Sequence, residues 1–320
     1  TKAAESRYAR YSFSGYSPLA RMGSPAGPAG EVLQRALAAH AFPAAVAEVG
    51  TSTQPLWREA FGRLTFSGDS PAATVETIFD LASLTKVLST AALVMRHVER
   101  GSIALDDAVT RYLPAGKGGG RDVVTIRDLL SHSSGLPAHR PFYRELRARA
   151  AVEAAIDETP LEYPPRSRSI YSDLGFMLLG FMLEEFAPLP VQFDALRQQM
   201  GGIQDLQFHP PDIWKKRTAP TQDNAMRGRL LIGEVDDDNT WALGGAAGQA
   251  GLFGTAGSVG EYARHLLQVL DNRVGAFRRE TLEEFVARRP DIPGSSRALG
   301  WDTLLPTSSC GTLMSPRAFG

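Results

Sequence analysis

The sequence contains a single cysteine, Cys310, among 320 residues, which excludes an internal disulfide. An excess of one charge is also missing, since 34 basic residues face 35 acidic ones. This balance gives no reason to expect a polyanionic partner such as nucleic acid or an anionic membrane surface, so nucleic-acid binding is a poor hypothesis. Long apolar runs are absent too. Residues 87–95 form the longest candidate, and they are interrupted by Ser89 and Thr90, well short of the ~18–20 apolar residues of a membrane span.

The composition that remains, with 43% hydrophobic and 22% charged residues, is that of a globular protein with one large domain or two modest ones. Residues 1–10 are polar and include neither an initiator Met nor a secretory core. The sequence therefore leaves the compartment open between periplasmic or secreted and cytoplasmic, and it leaves the oligomeric state undetermined.

Apolar spacing predicts the order of the elements. Residues 1–30 are rich in Ser, Gly, Pro and Tyr and predict an extended arm. A helix over 31–39 and two β-strands over 44–49 and 56–64 follow. A buried helix is predicted from Leu84 to Arg100, since its faces are apolar nearly all round.

Two capping boxes predict further helix starts, at Thr125–Asp128 and at Ser258–Glu261. Strand-like segments return at 250–255 and 299–305. We therefore predict an α/β (α+β) fold in which residues 31–78 and 240–320 form a discontinuous sheet-containing domain. Residues 79–239 form a mainly helical domain inserted into it.

The first candidate for chemistry is Ser83-Leu84-Thr85-Lys86. A serine in the first turn of a helix has an unpaired N–H at the positive end of the helix dipole, where an oxyanion is stabilised. A lysine three residues on returns to nearly the same face, within reach of the hydroxyl. The alternative is a helix cap followed by a lysine that extends to solvent. The apolar surroundings of Lys86 and the presence of only five lysines in the chain favour the catalytic interpretation.

The second candidate is Tyr171-Ser172-Asp173. A tyrosine near an ammonium group ionises more easily and can carry a proton between a nucleophile and a leaving group. Asp173 could orient the lysine or bind a substrate amide. The alternative is that Asp173 caps the next helix and Tyr171 is a half-buried packing residue.

Three other motifs predict structural roles. His132 lies in a Ser/Gly turn, and a histidine beside serines in sequence does not make a triad. The run Gly116–Gly120 lacks the Gly-Lys-Ser/Thr ending of a phosphate-binding loop and predicts a flexible loop. The run Asp236–Asp238 lacks the spacing of a calcium loop and predicts a solvated turn, so no metal site is expected.

Taken together, the Ser83/Lys86 and Tyr171–Asp173 motifs resemble the first two boxes of the serine β-lactamase and penicillin-binding-protein family. The resembling branch contains class C β-lactamases, D-alanyl carboxypeptidases and esterases. Residues 79–86, 129–137 and 248–256 also resemble stretches of that family, in order and spacing. The Ser-x-x-Lys box is common to this group, in which the identity of the acylation base is disputed.

The resemblance implies a β-lactamase/transpeptidase-like fold and an acyl-enzyme mechanism without a metal or organic cofactor. Ser83 would attack a carbonyl group while Lys86 and Tyr171 manage the protons, and Asp173, Gln249 and Gly251 would lie beside the substrate. The implied partner is a small-molecule or peptide acyl substrate of a bacterial enzyme. Gln249 departs from related sequences, which often have histidine there.

A second departure concerns the third box, Lys-Thr-Gly or His-Thr-Gly, which would follow a segment similar to residues 315–320. The sequence does not contain it, so we expect either that the sheet domain is truncated here or that catalysis is impaired. Loss of one oxyanion donor costs ~10²–10³ in rate. The alternative function is therefore a catalytically silent scaffold that binds a peptide or partner protein in the same cleft.

Overall fold

The computed structural model describes residues 27–113, 121–306, 308 and 313–320. Most of the predicted N-terminal arm, the glycine-rich run 116–120 and Cys310 lie outside the described residues. Two compact units are present, one formed by Thr1–Phe42 and the other by Pro43–Gly320. In the first unit, the described residues contain the helix Gly27–Ala38, which starts earlier than the predicted residue 31. The predicted domain boundaries at 78/79 and 239/240 stay a prediction.

The elements of the chain alternate between helices and short strands. The α-helices are α1 (Gly27–Ala38), α2 (Ala92–Glu99), α3 (Ile126–Leu130), α4 (Arg149–Glu158), α5 (Asp173–Glu184), α6 (Leu189–Gln199), α7 (Asp238–Ala242), α8 (Ala256–Leu270) and α9 (Arg279–Val286). A π-helical segment, Lys86–Ala91, leads directly into α2. Short 3₁₀ helices cover Val109–Arg111, Arg121–Val123, Phe142–Arg144 and Asp212–Arg217.

Among the described residues, the strand pairs are antiparallel and form three small sheets. The strands are β1 (Ala44–Gly50), β2 (Pro55–Gly62), β3 (Phe79–Asp80), β4 (Leu206–Phe208), β5 (Asp223–Asn224), β6 (Arg229–Leu230) and β7 (Leu252–Gly254). Their orders are β1-β2, β3-β7-β4 and β5-β6. The mixed α/β architecture with antiparallel sheets confirms the predicted fold class.

The two strands predicted over 44–49 and 56–64 pair as the β1–β2 hairpin, which packs against α8. On its face, Glu48 forms ion pairs with Arg58 of β2 and with Arg264 of α8. Two glycines make the close approach possible, since a Cβ atom at Gly257 would lie 2.8 Å from the Arg58 guanidinium and one at Gly260 would contact the Glu48 carboxylate. The hairpin and α8 are thus joined by a partly buried charge network.

The predicted buried helix is confirmed and covers residues 84–99, here called the Ser83 helix. Every residue from Thr85 to Met95 is buried. The helix ends before Gly101, which has φ +71°, a backbone conformation that favours glycine. It belongs to one large apolar core with α3, α5, α6 and α9, and this core holds the N-terminal turn of the helix in place.

Two local predictions are wrong. The helix predicted to start with a Ser258–Glu261 box begins at Ala256, because Thr255 and Ser258 exchange side-chain and backbone hydrogen bonds three residues earlier. Residues 299–305 are not a strand. They form only isolated bridges, Arg297 with Asp302 and Thr303 with Phe319. In contrast, the Thr125–Asp128 box is confirmed.

Among the described residues, no single helix has the length and apolarity needed to cross a membrane, although α5 and α6, bent by 83°, pass that test as a pair.

Candidate active site

Ser83 follows a strained residue. Ala82 has φ +46°, in the left-handed region that disfavours any side chain. The conformation is held by Asp80, whose Oδ1 accepts a hydrogen bond from the Ala82 N–H at 2.8 Å and whose Oδ2 accepts one from the Asp236 N–H at 2.7 Å. Burial raises the pKa of Asp80 above its ordinary value. Strain of this kind persists only where the surroundings enforce it, and it concentrates at functional sites.

The turn that contains Ser83 is wound more tightly than an α-helix. Three successive N–H groups, those of Leu84, Thr85 and Lys86, donate to the carbonyl three residues earlier, at 2.9, 3.1 and 3.0 Å. Side chains at positions i and i+3 eclipse in this winding. Lys86 Nζ therefore lies 3.0 Å from Ser83 Oγ.

Ser83 itself is exposed at the surface of this turn. Its backbone N–H has no acceptor among the described residues and stands at the start of the Ser83 helix. This N–H is available to an oxyanion.

Lys86 is 2% exposed and donates to three acceptors. They are Ser83 Oγ at 3.0 Å, the Gln249 backbone carbonyl at 3.0 Å and Asp173 Oδ1 at 2.8 Å. An ammonium group has three hydrogens, so the side chain is fully satisfied in its charged form. Aromatic faces add to this environment, with Nζ 4.9 Å from the Tyr171 ring centroid and 5.8 Å from that of Phe176.

Tyr171 contacts the site through its ring. The ring lies next to Lys86, and the Arg297 guanidinium is 5.2 Å from its centroid. The imidazole of His132 stacks on it at 4.6 Å. Within the described residues, its hydroxyl makes no hydrogen bond, and 37% of the residue is exposed. The structure thus brings Tyr171 to the lysine without joining its hydroxyl to Ser83.

Asp173 begins α5, and the capping residue is its neighbour. Ser172 Oγ accepts the Gly175 N–H at 3.3 Å and donates to the Pro137 carbonyl at 2.6 Å. Asp173 is free to use both carboxylate oxygens in the site, Oδ1 on Lys86 and Oδ2 at 3.6 Å from His139 Nδ1. His139 is half exposed and was not identified from sequence.

Gln249 and Gly251 belong to a segment, Gly248–Leu252, that runs along the Ser83 helix. Three side chains of that helix bind its backbone. Thr90 Oγ1 donates to the Gly248 carbonyl at 2.7 Å, Lys86 Nζ donates to the Gln249 carbonyl, and Thr85 Oγ1 accepts the Leu252 N–H at 3.1 Å. We call Gly248–Leu252 the clamped segment.

Within the clamped segment, the two predicted substrate-binding residues face inward. Gln249 is 1% exposed, and its amide Nε2 donates to Thr240 Oγ1 at 2.8 Å and to Asp237 Oδ1 at 3.3 Å. Gly251 has φ +119°, and a Cβ atom there would lie 2.6 Å from the Gly245 carbonyl oxygen. Gln249 thus contacts Lys86 through its backbone carbonyl group, and Gly251 allows the backbone turn that follows it.

His132, for which the sequence predicts a structural role, packs against the side of Tyr171. Its ring is buried between Tyr171 and Phe176, and Nδ1 accepts the Ser172 N–H at 3.0 Å. Burial, with Arg297 and Lys86 nearby, holds the pKa of His132 well below its ordinary value. A neutral imidazole therefore lies under Tyr171.

The three consecutive aspartates are engaged with protein groups. Asp237 caps α7 by accepting the Thr240 N–H at 2.7 Å, and Asp238 pairs with Arg227 at 2.6 Å. Asp236 donates its N–H to Asp80. The described residues include no cluster of three or more His, Cys, Asp or Glu side chains placed to hold a metal ion.

Comparison with known proteins identifies the family of the chain. The Beta-lactamase family model matches residues 30–320, and the chain therefore belongs to this family. A curated relative from Salmonella gallinarum, named "Putative D-alanyl-D-alanine carboxypeptidase", is 30% identical over 78% of this chain. The chain spans 65% of the length of that relative.

Solved structures show the fold. The class C β-lactamase of Rhodobacter sphaeroides superposes with a TM-score of 0.67 at 19% identity, over 86% of this chain and 74% of its own. A hydrolase with promiscuous acyltransferase activity, EstCE1, gives a TM-score of 0.65 at 23% identity, over 85% and 79% of the two chains. The expected β-lactamase/transpeptidase-like fold is thus confirmed.

Proposed function

We propose that the protein is a serine hydrolase that forms an acyl-enzyme on Ser83 and acts on an ester, a D-alanyl peptide or a β-lactam. The observation that carries this proposal is the 3.0 Å contact between Lys86 Nζ and Ser83 Oγ, made by a lysine that is 2% exposed. A scaffold protein has no physical need for a buried ammonium beside an exposed hydroxyl. Membership of the Beta-lactamase family and relatives named as a carboxypeptidase, a β-lactamase and a hydrolase support it.

In the first step, Ser83 Oγ attacks the substrate carbonyl carbon. Negative charge develops on the carbonyl oxygen, and the free Ser83 N–H at the helix start is placed to stabilise it. The bond from the carbonyl carbon to the leaving alcohol or amine breaks, the leaving group takes up the proton that Ser83 Oγ has lost, and the acyl group stays on Ser83. Water then attacks the acyl carbon, the acid product is released, and a proton of that water returns to Ser83 Oγ.

Lys86 acts in this scheme as a fixed donor to Ser83 Oγ. Its ammonium form is fully hydrogen-bonded by three acceptors, and in that form it is placed to stabilise the alkoxide that forms as the hydroxyl loses its proton. Asp173 balances that charge. Tyr171 is the proposed proton carrier between Ser83 Oγ and the leaving group, since its ring lies 4.9 Å from Lys86 Nζ in the site.

The test is intact-protein mass spectrometry before and after incubation with a fluorescent penicillin and, separately, with an activated phosphonate ester. We expect one adduct on the wild-type chain and none on Ser83→Ala, whose thermal unfolding should match the wild type because Ser83 is exposed. An adduct on Ser83→Ala would refute the assignment of the nucleophile. No adduct with either reagent would refute the acyl-enzyme and favour the peptide-binding scaffold.

A further inference from the structure

We infer that the Gln249 side chain is a positioning residue, which fixes the backbone carbonyl that holds Lys86 beside Ser83. This inference rests on the proposed function and deepens it, because it names what keeps the lysine in place. The carbonyl of Gln249 is one of the three acceptors of Lys86, at 3.0 Å, in a buried hydrogen bond between residues 163 positions apart. The amide of the same residue points the other way, into α7.

The backbone around Gln249 needs such an anchor. Gly248 precedes it, and Gly251, with φ +119°, follows two positions later. Glycine leaves the chain the greatest conformational freedom. Thr90 and Thr85 bind the two ends of the clamped segment, but neither sets the rotation of the peptide unit between residues 249 and 250. The Gln249 amide, bound to α7, fixes that rotation.

The orientation of the amide is set by its partners. Asp237 Oδ1 already accepts the Thr240 N–H at 2.7 Å, and a carboxylate only accepts. Nε2 must therefore face Asp237 and Thr240. This leaves Gln249 Oε1 buried and, among the described residues, without a hydrogen-bond partner.

A buried acceptor without a partner is costly and rare in native proteins. A methionine of similar length would pack in the same space without that cost. A glutamine stands here despite that cost, which indicates that the hydrogen bonds of Nε2 contribute more than packing. Their effect reaches Lys86 through one peptide unit.

The first experiment observes Lys86 directly. The chain has five lysines, Lys2, Lys86, Lys117, Lys215 and Lys216, so a lysine-¹⁵N-labelled sample gives few Nζ signals, and Lys86→Arg assigns the one from Lys86. In Gln249→Met and in Thr240→Val we expect that signal to shift and its hydrogens to exchange faster with water. The single substitution Thr240→Ser keeps the hydroxyl, so the Lys86 signal should be the same as in the wild type.

A matched control separates positioning from stability. Gln192 in α6 is a partly buried glutamine, and its amide donates to the Leu183 and Ala187 carbonyls away from the site. Gln192→Met should lower the unfolding temperature and leave the Lys86 signal unchanged. If the Lys86 signal is the same in wild type and Gln249→Met, the inference is wrong, whether or not the protein acylates.

The second experiment measures the rate of acylation by the fluorescent penicillin or the phosphonate. In Gln249→Met and Thr240→Val we expect a rate loss of up to ~10²-fold, the cost of misplacing a reacting group by about 1 Å. Gln192→Met should acylate at the wild-type rate. Wild-type rates in both Gln249→Met and Thr240→Val would overturn the positioning role, whereas absence of acylation in the wild type would refute the proposed function instead.

Discussion

At the scale of single residues, the proposed proton-carrying role of Tyr171 is open to a sharp test, because its hydroxyl is bound to none of the described residues. Tyr171→Phe keeps the ring contacts with Lys86, His132 and Arg297, so unfolding should be unaffected. Acylation should slow by ~10²–10⁴-fold, the typical contribution of general acid–base catalysis. Stopped-flow acylation combined with thermal unfolding checks both expectations, and a wild-type rate would remove the hydroxyl from the mechanism.

His132 gives a pH prediction at the same scale. Its pKa in the folded protein is well below the unfolded value of 6.5, so just below pH 6.5 the imidazole is protonated in the unfolded chain and neutral in the folded protein. The free energy of unfolding therefore has its full value above pH 6.5. It decreases as the pH falls, by ~1.4 kcal/mol per pH unit for one proton.

His132→Asn tests this, since asparagine tolerates the positive φ of 55° at this position. Its side-chain oxygen can also accept the Ser172 N–H. Urea titrations from pH 7 to pH 5 should show a smaller loss of unfolding free energy in the variant than in the wild type. Parallel pH dependences would show that the wild-type imidazole is not kept neutral.

At the scale of elements, the clamped segment is wedged between the Ser83 helix and α5. A Cβ atom at Gly248 would lie 2.0 Å from the Phe176 carbonyl oxygen, and one at Gly180 would lie 2.7 Å from the Gly248 nitrogen. Gly248→Ala should therefore displace the segment, costing ~1–3 kcal/mol or more, and remove the carbonyl from Lys86.

Gly68→Ala is the control, because nothing lies within 4 Å of a Cβ atom there. It should be neutral or stabilising by ~0.4–1 kcal/mol. Chemical denaturation and acylation rates measure both variants. Equal effects of the two substitutions would contradict the packing of the clamped segment.

The elements also show what the sequence could and could not predict. Spacing and burial placed Lys86 next to Ser83, since the distance of three residues fixes that geometry within one helix. The role of Gln249 was missed because every residue has a carbonyl group, and only the fold shows which one meets a buried ammonium. The start of α8 was missed for a related reason. Thr255 and Ser258 cap it with hydroxyls, whereas the predicted box required an acidic residue at 261.

At the scale of the whole molecule, the position of the core indicates which backbone amides exchange most slowly with solvent. All residues of α5 from Leu174 to Leu183 are buried, whereas β5 and β6 are two-residue strands with little burial. Amides of α5 and of the Ser83 helix should exchange only through global unfolding, and those of the β5–β6 hairpin through local opening. Hydrogen exchange read by mass spectrometry checks this order, and earlier exchange in α5 than in the hairpin would contradict it.

The acceptor that Gln249 offers to Lys86 has a consequence for how this protein tolerates mutation. A contact made by a main-chain oxygen cannot be deleted by a change of codon, since every amino acid brings the same oxygen. Substitutions at 249 can only tilt it, so their effects on the lysine should be graded. At Ser83, Lys86 and Asp173 the interacting atoms belong to side chains, and there a single substitution removes the interaction outright. Substitutions at position 249 are therefore expected to weaken the site by degrees, whereas substitutions at Ser83, Lys86 and Asp173 should each abolish one contact completely.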